Sequence, residues 1–430
     1  MLNVKELYQK KLCTAEEAIK LIKDEDTLVL PFGEPPLFLK ALAEHRREFN
    51  NVKISQTAAR EHYDFIDPAT QDNIQLKPFF LGAAVRKGGQ AGYWSSIPYN
   101  FGESCDQIRR GYIKCDVFAT LASPMDEYGY FSIGLGYDYT NAALEKAHSV
   151  ILEVNPNVPY VYGNCLVHIS QVSALIEGNT PMRDVKMPEP GEVERTMAQY
   201  VAEFIEDGST IQVGFGPVPN ALVSLLTHKQ DLGIHSEMFN DGILSLIECG
   251  AVTNRKKNFN PGKTIVVFAE GTQKVYDYMH RNPALEMHPV DYVNNPYIAG
   301  KNDNLISINS TLQVDFLGQC CSESIGSIPY SGSGGQLDFV RAANISRGGK
   351  SFLMLRSTAK NGTISRIVPM LTQGAHVTVG KNDVDYIVSE FGVAHLRGKT
   401  AAERTREMIA IAHPDYRAEL KAAAKKMNYM

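Results

Sequence analysis

One pattern occurs twice in this chain. AIKLIKDEDTLVLPFGEPPLFLKAL (residues 18–42) and YVAEFIEDGSTIQVGFGPVPNALVSL (residues 200–225) agree at Thr27, Phe32, Gly33, Pro36 and Leu42 against Thr210, Phe215, Gly216, Pro219 and Leu225. A helical stripe leads into each copy. Ala15, Ala18, Ile19 and Ile22 share one face behind a Thr14-to-Glu17 capping box; Met197, Val201, Phe204 and Ile205 form the second stripe. Each copy then reads as a short buried strand, a Gly/Pro turn and another helix. A chain that repeats such a unit is constrained to build related α/β layers.

The alternation continues outside the repeat. VILEV (150–154), TIVVFAE (264–270) and FLMLRS (352–357) read as buried strands between helical patterns, which predicts a largely parallel sheet. Between the copies, PMRDVKMPEPGEVE (181–194) is rich in proline and charge and reads as a linker. The expected architecture is therefore two related open α/β domains, residues 1–185 and 190–430. Open sheets of this kind bind ligands at the carboxyl ends of their strands, and two facing halves offer a cleft for an active site.

Composition narrows the function. Of 430 residues 44% are hydrophobic and 21% charged, with a formal net charge of −5 and no long basic run. That excludes disorder and argues against general nucleic-acid binding. No stretch approaches the ~20 apolar residues of a membrane helix, and the first residues lack the apolar core of a signal peptide. Seven scattered cysteines, with only Cys320 and Cys321 adjacent, read as reduced thiols of a cytoplasmic protein.

Familiar motifs fail on inspection. GFGPVP (214–219) has Pro219 where a dinucleotide fingerprint needs its third glycine, and NISRGGKS (344–351) has Asn344 where a phosphate loop begins with glycine. No metal-ligand spacing occurs. Two segments remain. VGFGPVPNALVSLL (213–226) puts Gly216 to Asn220 between a strand and a helix, where free amides attract phosphate or carboxylate. IPYSGSGGQLDFVRAA (328–343) puts Ser331 to Gly335 before a helix, where backbone N–H groups can face an oxyanion. An ordinary strand–helix turn and a flexible Gly/Ser loop would carry the same residues without a ligand. A carboxylate also stands beside a turn, in GIHSEMFNDG (233–242): Glu237, which could equally be a solvated loop residue.

These segments, together with SPMDEYGYFSIG (123–134), DYTNAALEKA (138–147) and the run from Asn382 to Arg417, resemble the acetyl-CoA hydrolase/transferase family of class I CoA-transferases. The likeness is nearest to the 4-hydroxybutyrate and butyrate branch and spans nearly the whole chain. It implies transfer of CoA between short-chain carboxylic acids, with Glu237 as the nucleophile. A carboxylate suits that role: it is ionised at neutral pH, with a reference pKa of about 4.3, and it can carry a thioester as the substrates do. The resemblance further implies CoA contacts at Gly216, Pro217, Val218, Pro219 and Asn220, at Ser331 and at Lys360, and an oxyanion-binding amide at Gly335. Glu390 matches an acidic residue near the nucleophile of related enzymes, although a structural ion pair would also account for it. The SGSGG loop departs from the Asn-Gly start of other branches, which affects Ser331. In this picture the first domain shapes the acid pocket and the second carries the nucleophile and CoA site. CoA and acyl-CoA are substrates, with no resident cofactor or metal, and a homodimer or higher homo-oligomer is expected. Dicarboxylic acids such as succinate or itaconate form a rival substrate class, with Arg109 or Arg110 pairing a second carboxylate unless both are surface charges. The same motifs would also serve an acyl-CoA hydrolase, in which water releases the intermediate, or a non-catalytic acyl-CoA-binding protein.

Overall fold

The computed structural model describes residues 3–430 apart from 58, 186–188 and 215, with backbone alone at 217–219. The chain forms two compact units. Met1–Val185 and Ile265–Val293 make the first; Lys186–Thr264 and Asn294–Met430 make the second.

The first unit is built on a six-stranded sheet in the order β3-β2-β1-β4-β5-β6. Its strands are β1 Thr27–Leu30, β2 Val52–Gln56, β3 Ile74–Leu76, β4 Val117–Ala122, β5 Ser149–Val154 and β6 Ala174–Glu177. All neighbours are parallel. Every residue of β1, β4 and β5 is buried, as expected for parallel strands covered on both faces. The chain winds outward from β1 through β2 to β3, then returns to lay β4, β5 and β6 on the other side. The order therefore reverses between β1 and β4.

The second unit repeats the plan. Its strands are β7 Thr210–Val213, β8 Gly233–Ile234, β9 Leu305–Ser310, β10 Lys350–Met354, β11 Tyr386–Ser389 and β12 Gly392–His395, in the order β8-β7-β9-β10-β11-β12. Only the last pair is antiparallel.

The repeated segments fold alike. The capping box forms at Thr14, whose side chain accepts from Glu17 N while Glu17 accepts from Thr14 N. Met197, Val201 and Ile205 are buried. β1 leads through Phe32 and Gly33 into α1 (Pro36–Glu44), and β7 leads through Gly216 into α2 (Pro217–Leu225). Two buried carboxyls hold the first of these turns. Asp138 accepts from Phe32 N at 2.6 Å, and Glu153 accepts from Leu37 N at 2.8 Å and Phe38 N at 3.2 Å. The Glu153 bonds satisfy free donors at the start of α1.

Two expectations need correction. A boundary near residue 185 captures only the first crossing of the chain, because residues 265–293 belong with the first unit. Side-chain and backbone pairing explains why. Tyr276 Oη donates to Arg183 O, Tyr137 N donates to Val267 O and Val290 N donates to Asp138 O. TIVVFAE likewise forms no strand of a six-stranded sheet. It is split into Thr264–Val266 and Phe268–Ala269, in smaller sheets, with Val267 turned to bond the 133–137 segment. Among the described residues, no helix is long and apolar enough to cross a membrane.

Candidate active site

Glu237 leaves the end of β8 in a bend, shortly past a strand that is fixed at both polar groups of Ile234. Ile234 N donates to Asn254 Oδ1 at 2.8 Å, and Ile234 O accepts from Lys257 Nζ at 2.8 Å. Ser236, just before it, is tied to the end of β7: Val213 N donates to Ser236 Oγ at 3.3 Å. After it, Asn240 caps α3 (Asp241–Glu248) by accepting from Ile243 N at 3.0 Å. The Asn-Asp-Gly sequence thus starts a helix. With fixed backbone on each side, the half-buried Glu237 carboxyl is held at the carboxyl edge of the second sheet.

Asn294 and Gly335 lie against that carboxyl group. Asn294 is fully buried and donates from Nδ2 to Glu237 Oε2 at 2.7 Å, while its own Oδ1 is buried without a hydrogen bond. Gly335 lies against the same oxygen. A Cβ there would stand 2.0 Å from Glu237 Oε2 and 2.1 Å from Asn294 Nδ2. Gly335 has φ −93° and ψ 9°, so it is glycine for space, not for backbone conformation. It opens α4 (Gln336–Ile345). Gln336 fixes that end of the helix, donating to Ser310 O at 2.6 Å and accepting from Ser322 Oγ at 2.6 Å. The strand end of β9, the glycine loop and Glu237 are thereby drawn into one place.

The glycine loop is ordered by its own polar groups. Ser333 Oγ donates to Glu323 Oε2 at 3.0 Å, and Gly334 takes φ +58°. Ser331 N donates to Glu323 O at 3.2 Å, and its hydroxyl reaches only nearby backbone carbonyls. At the other turn, Gly216 adopts φ +136° and ψ 175°, a conformation nearly confined to glycine. Asn220 begins the second turn of α2 with a buried Nδ2 that makes no hydrogen bond. The side chains of Pro217, Val218 and Pro219 lie outside the described residues.

The remaining sequence candidates sit elsewhere. Lys360 is at the exposed tip of a hairpin joining Thr358–Ala359 to Ile364–Ser365, with φ +46°. Glu390 accepts from Ser357 N at 2.8 Å and Ser357 Oγ at 2.7 Å, which is a structural tie. Arg109 is paired with Glu145 at 2.8 Å and Asp291 at 2.7 Å, and Arg110 with Asp106 at 2.9 Å. Both arginines are thus engaged in ion pairs within the protein. Asn294 was not legible as a site residue, although VNNPY carried a signal. Asn295 caps the helix Pro296–Ala299, so only one of the two adjacent asparagines has a local reason to be there.

Two open α/β units, one presenting a carboxylate between a buried amide donor and a glycine at its sheet edge, mark a candidate enzyme site. The comparisons narrow it. Residues 2–185 match the acetyl-CoA hydrolase/transferase N-terminal domain and residues 271–424 the C-terminal domain of the same family. The chain belongs to the acetyl-CoA hydrolase/transferase family. It is 49% identical to a succinyl-CoA:cyclohexane-1-carboxylate CoA transferase of Geobacter metallireducens, covering 98% of this chain and 96% of the relative. It is 41% identical to a 4-hydroxybutyrate coenzyme A transferase of Clostridium kluyveri, covering 98% and 99%. Among solved structures, RipA from Yersinia pestis superposes with a TM-score of 0.93 at 36% identity, over the whole of both chains.

Proposed function

We propose that this enzyme is an acyl-CoA:carboxylate CoA-transferase that works by a ping-pong sequence through a thioester on Glu237. The observation that supports it is the triad of Glu237, Asn294 and Gly335: one carboxylate oxygen accepts from Asn294 Nδ2 at 2.7 Å and lies where a Cβ on residue 335 would stand. Glu237 attacks the acyl-CoA carbonyl and CoA thiolate leaves, giving a mixed anhydride. The thiolate then attacks the glutamyl carbonyl, expelling the first acid as its carboxylate and leaving glutamyl-CoA. The second acid's carboxylate reverses both steps. Charge on oxygen grows at each tetrahedral stage. Asn294 Nδ2 and the Gly335 N–H are the donors assigned to it, because preorganised donors of this kind supply much of the stabilisation in acyl transfer.

Gly216 to Asn220 and Ser331 are assigned to CoA, the first as a helix start with the unpaired Asn220 amide, the second as a hydroxyl without a strong internal partner. Lys360, whose ammonium makes no hydrogen bond or ion pair among the described residues, is assigned to a CoA phosphate. The second unit thus supplies the nucleophile and the CoA contacts. The test is incubation with acetyl-CoA alone followed by borohydride. The wild type should lose activity with a mass change on the Glu237 peptide, and Glu237→Gln should show no such mark. CoA release that proceeds at full rate without any acid acceptor would make the enzyme a hydrolase instead.

A further inference from the structure

Gly335 is set into the second unit with almost no slack. A Cβ on it would stand 2.0 Å from Glu237 Oε2. A loop shift of about 1 Å would therefore crowd the carboxylate or draw away from it, and displacements of that size can cost ~10²-fold in rate. A glycine-rich backbone does not hold itself to such a tolerance, because its own conformational preferences are weak.

The adjacent residues Ser322 and Glu323 grip the loop on both sides of that glycine. After it, Ser322 Oγ donates to Gln336 Oε1 at 2.6 Å. Before it, Ser333 Oγ donates to Glu323 Oε2 at 3.0 Å. Between the two anchored side chains lie only Gly334, at φ +58°, and Gly335. The grip is itself fixed from behind. Buried Thr378 donates from Oγ1 to Glu323 Oε1 at 2.9 Å and accepts at the same oxygen from Ser322 N at 2.9 Å. Its own N–H donates to Cys320 O at 2.8 Å. A carboxylate has no proton to give, so both hydroxyls that meet Glu323 must donate. Each of these bonds is charge-assisted.

Glu323 also uses its backbone. Its carbonyl accepts from Tyr330 N at 2.8 Å and from Ser331 N at 3.2 Å. The carbonyl thus holds the start of the loop, and the carboxylate holds the end next to Gly335.

We propose that Glu323 is a positioning residue for CoA transfer, acting through Ser333 to hold Gly335 in place beside Glu237. The proposal rests on the reading of Glu237 as nucleophile and adds the group that keeps its glycine neighbour in register. The division within Glu323 gives it a signature. Replacing the side chain frees the Gly335 end of the loop and leaves the carbonyl's hold on Ser331, the end assigned to CoA. Turnover suffers and binding of the CoA donor does not.

Steady-state kinetics with acetyl-CoA and an acid acceptor test this. Glu323→Gln replaces one acceptor oxygen by a donor, and Ser333→Ala removes the hydroxyl. Each should lower kcat roughly 10- to 100-fold, the scale of one hydrogen bond to a charged group, with KM for acetyl-CoA little changed. Ser333→Thr keeps the hydroxyl and should keep most of the turnover. The double variant Glu323→Gln, Ser333→Ala should be no slower than the slower single one, because both substitutions remove the same bond. Amide hydrogen exchange reads the clamp without catalysis: peptides covering 330–336 should exchange faster in Glu323→Gln and Ser333→Ala, and those covering β9 should not. If the wild type forms no adduct on Glu237, the nucleophile reading fails, and exchange still decides the clamp. Losses in kcat that multiply in the double variant, a raised KM with kcat kept, or unchanged exchange at 330–336 would each overturn the proposal. Should Glu323→Gln fail to fold, Ser333→Ala against Ser333→Thr decides by itself.

Discussion

Replacing Gly335 with alanine adds one methyl group where the site has no room. The added Cβ would lie 2.0 Å from Glu237 Oε2 and 2.1 Å from Asn294 Nδ2, whereas real Cβ contacts stay beyond 3.0 Å. At least one of the three groups must move by about 1 Å, a displacement that can cost ~10²-fold when reacting groups are misplaced. The backbone itself accepts alanine, because φ is −93°. The stability loss should therefore come from overpacking alone, typically ~1–3 kcal/mol. We expect kcat to fall about 100-fold or more while KM for acetyl-CoA changes little. Thermal unfolding of the four proteins in a Gly335→Ala, Glu237→Ala cycle supplies the structural check. Removing the carboxylate relieves one of the two clashes, so the double variant should be more stable than additivity predicts. Near-normal turnover in Gly335→Ala, or strictly additive stabilities, would refute the placement of this glycine against the nucleophile.

Asn294→Ala should lower kcat by ~10²-fold, the cost of one oxyanion donor elsewhere, with acyl-CoA binding preserved; an unchanged kcat in steady-state assays would leave it only a structural role. Gly216→Ala forces a side chain into a conformation nearly confined to glycine, so denaturant unfolding should show a loss of ~1–3 kcal/mol together with weaker CoA binding by calorimetry. Lys360→Ala should raise KM for acetyl-CoA but not for a truncated thioester lacking the nucleotide, and an equal rise with both donors would remove Lys360 from the phosphate site. Glu34 gives a pH signature. Burial, outweighing the nearby Arg60 charge, raises its pKa from 4.5 to about 7. The folded state thus keeps a proton that the unfolded chain has lost. This contribution to stability is complete below about pH 4.5 and disappears as pH rises to about 7, on the order of 3 kcal/mol if the group acts alone. Urea midpoints of Glu34→Gln should decline less between pH 5 and 8 than those of the wild type, and parallel curves would contradict the assignment.

What could be read from the sequence was local. The Thr14 capping box, the repeated strand–turn–helix, the strand at 150–154 and the first half of FLMLRS, where the strand ends at Met354, depend on neighbours within a few residues, so periodicity and turn chemistry report them. Glu237 stood out only through a resemblance; by its own residue type and position it was an ordinary Glu beside a turn. Asn294 reaches it across 57 residues of sequence, and no periodic signal spans such a gap. The same holds for Arg109, whose partners Glu145 and Asp291 lie far along the chain. TIVVFAE misled for a related reason: an apolar run reveals burial but not which sheet receives it.

The return of Ile265–Val293 to the first unit has a consequence for how the protein is made. A ribosome that has finished residue 185 has not finished the first unit. More than a hundred further residues must be added before Tyr276 can bond Arg183 O and Val290 can bond Asp138 O. At ~5–20 residues per second that is a delay of roughly 5–20 s. For that interval the nascent sheet lacks its last covering segment, and Tyr276 is missing from the apolar cluster it forms with Leu121, Leu135 and Val158. A gene cut at the apparent linker would make the delay permanent. Residues 1–185 expressed alone should emerge as a chaperone-dependent, aggregation-prone fragment, and a fragment starting at 190 would carry residues 265–293 with nothing to receive them.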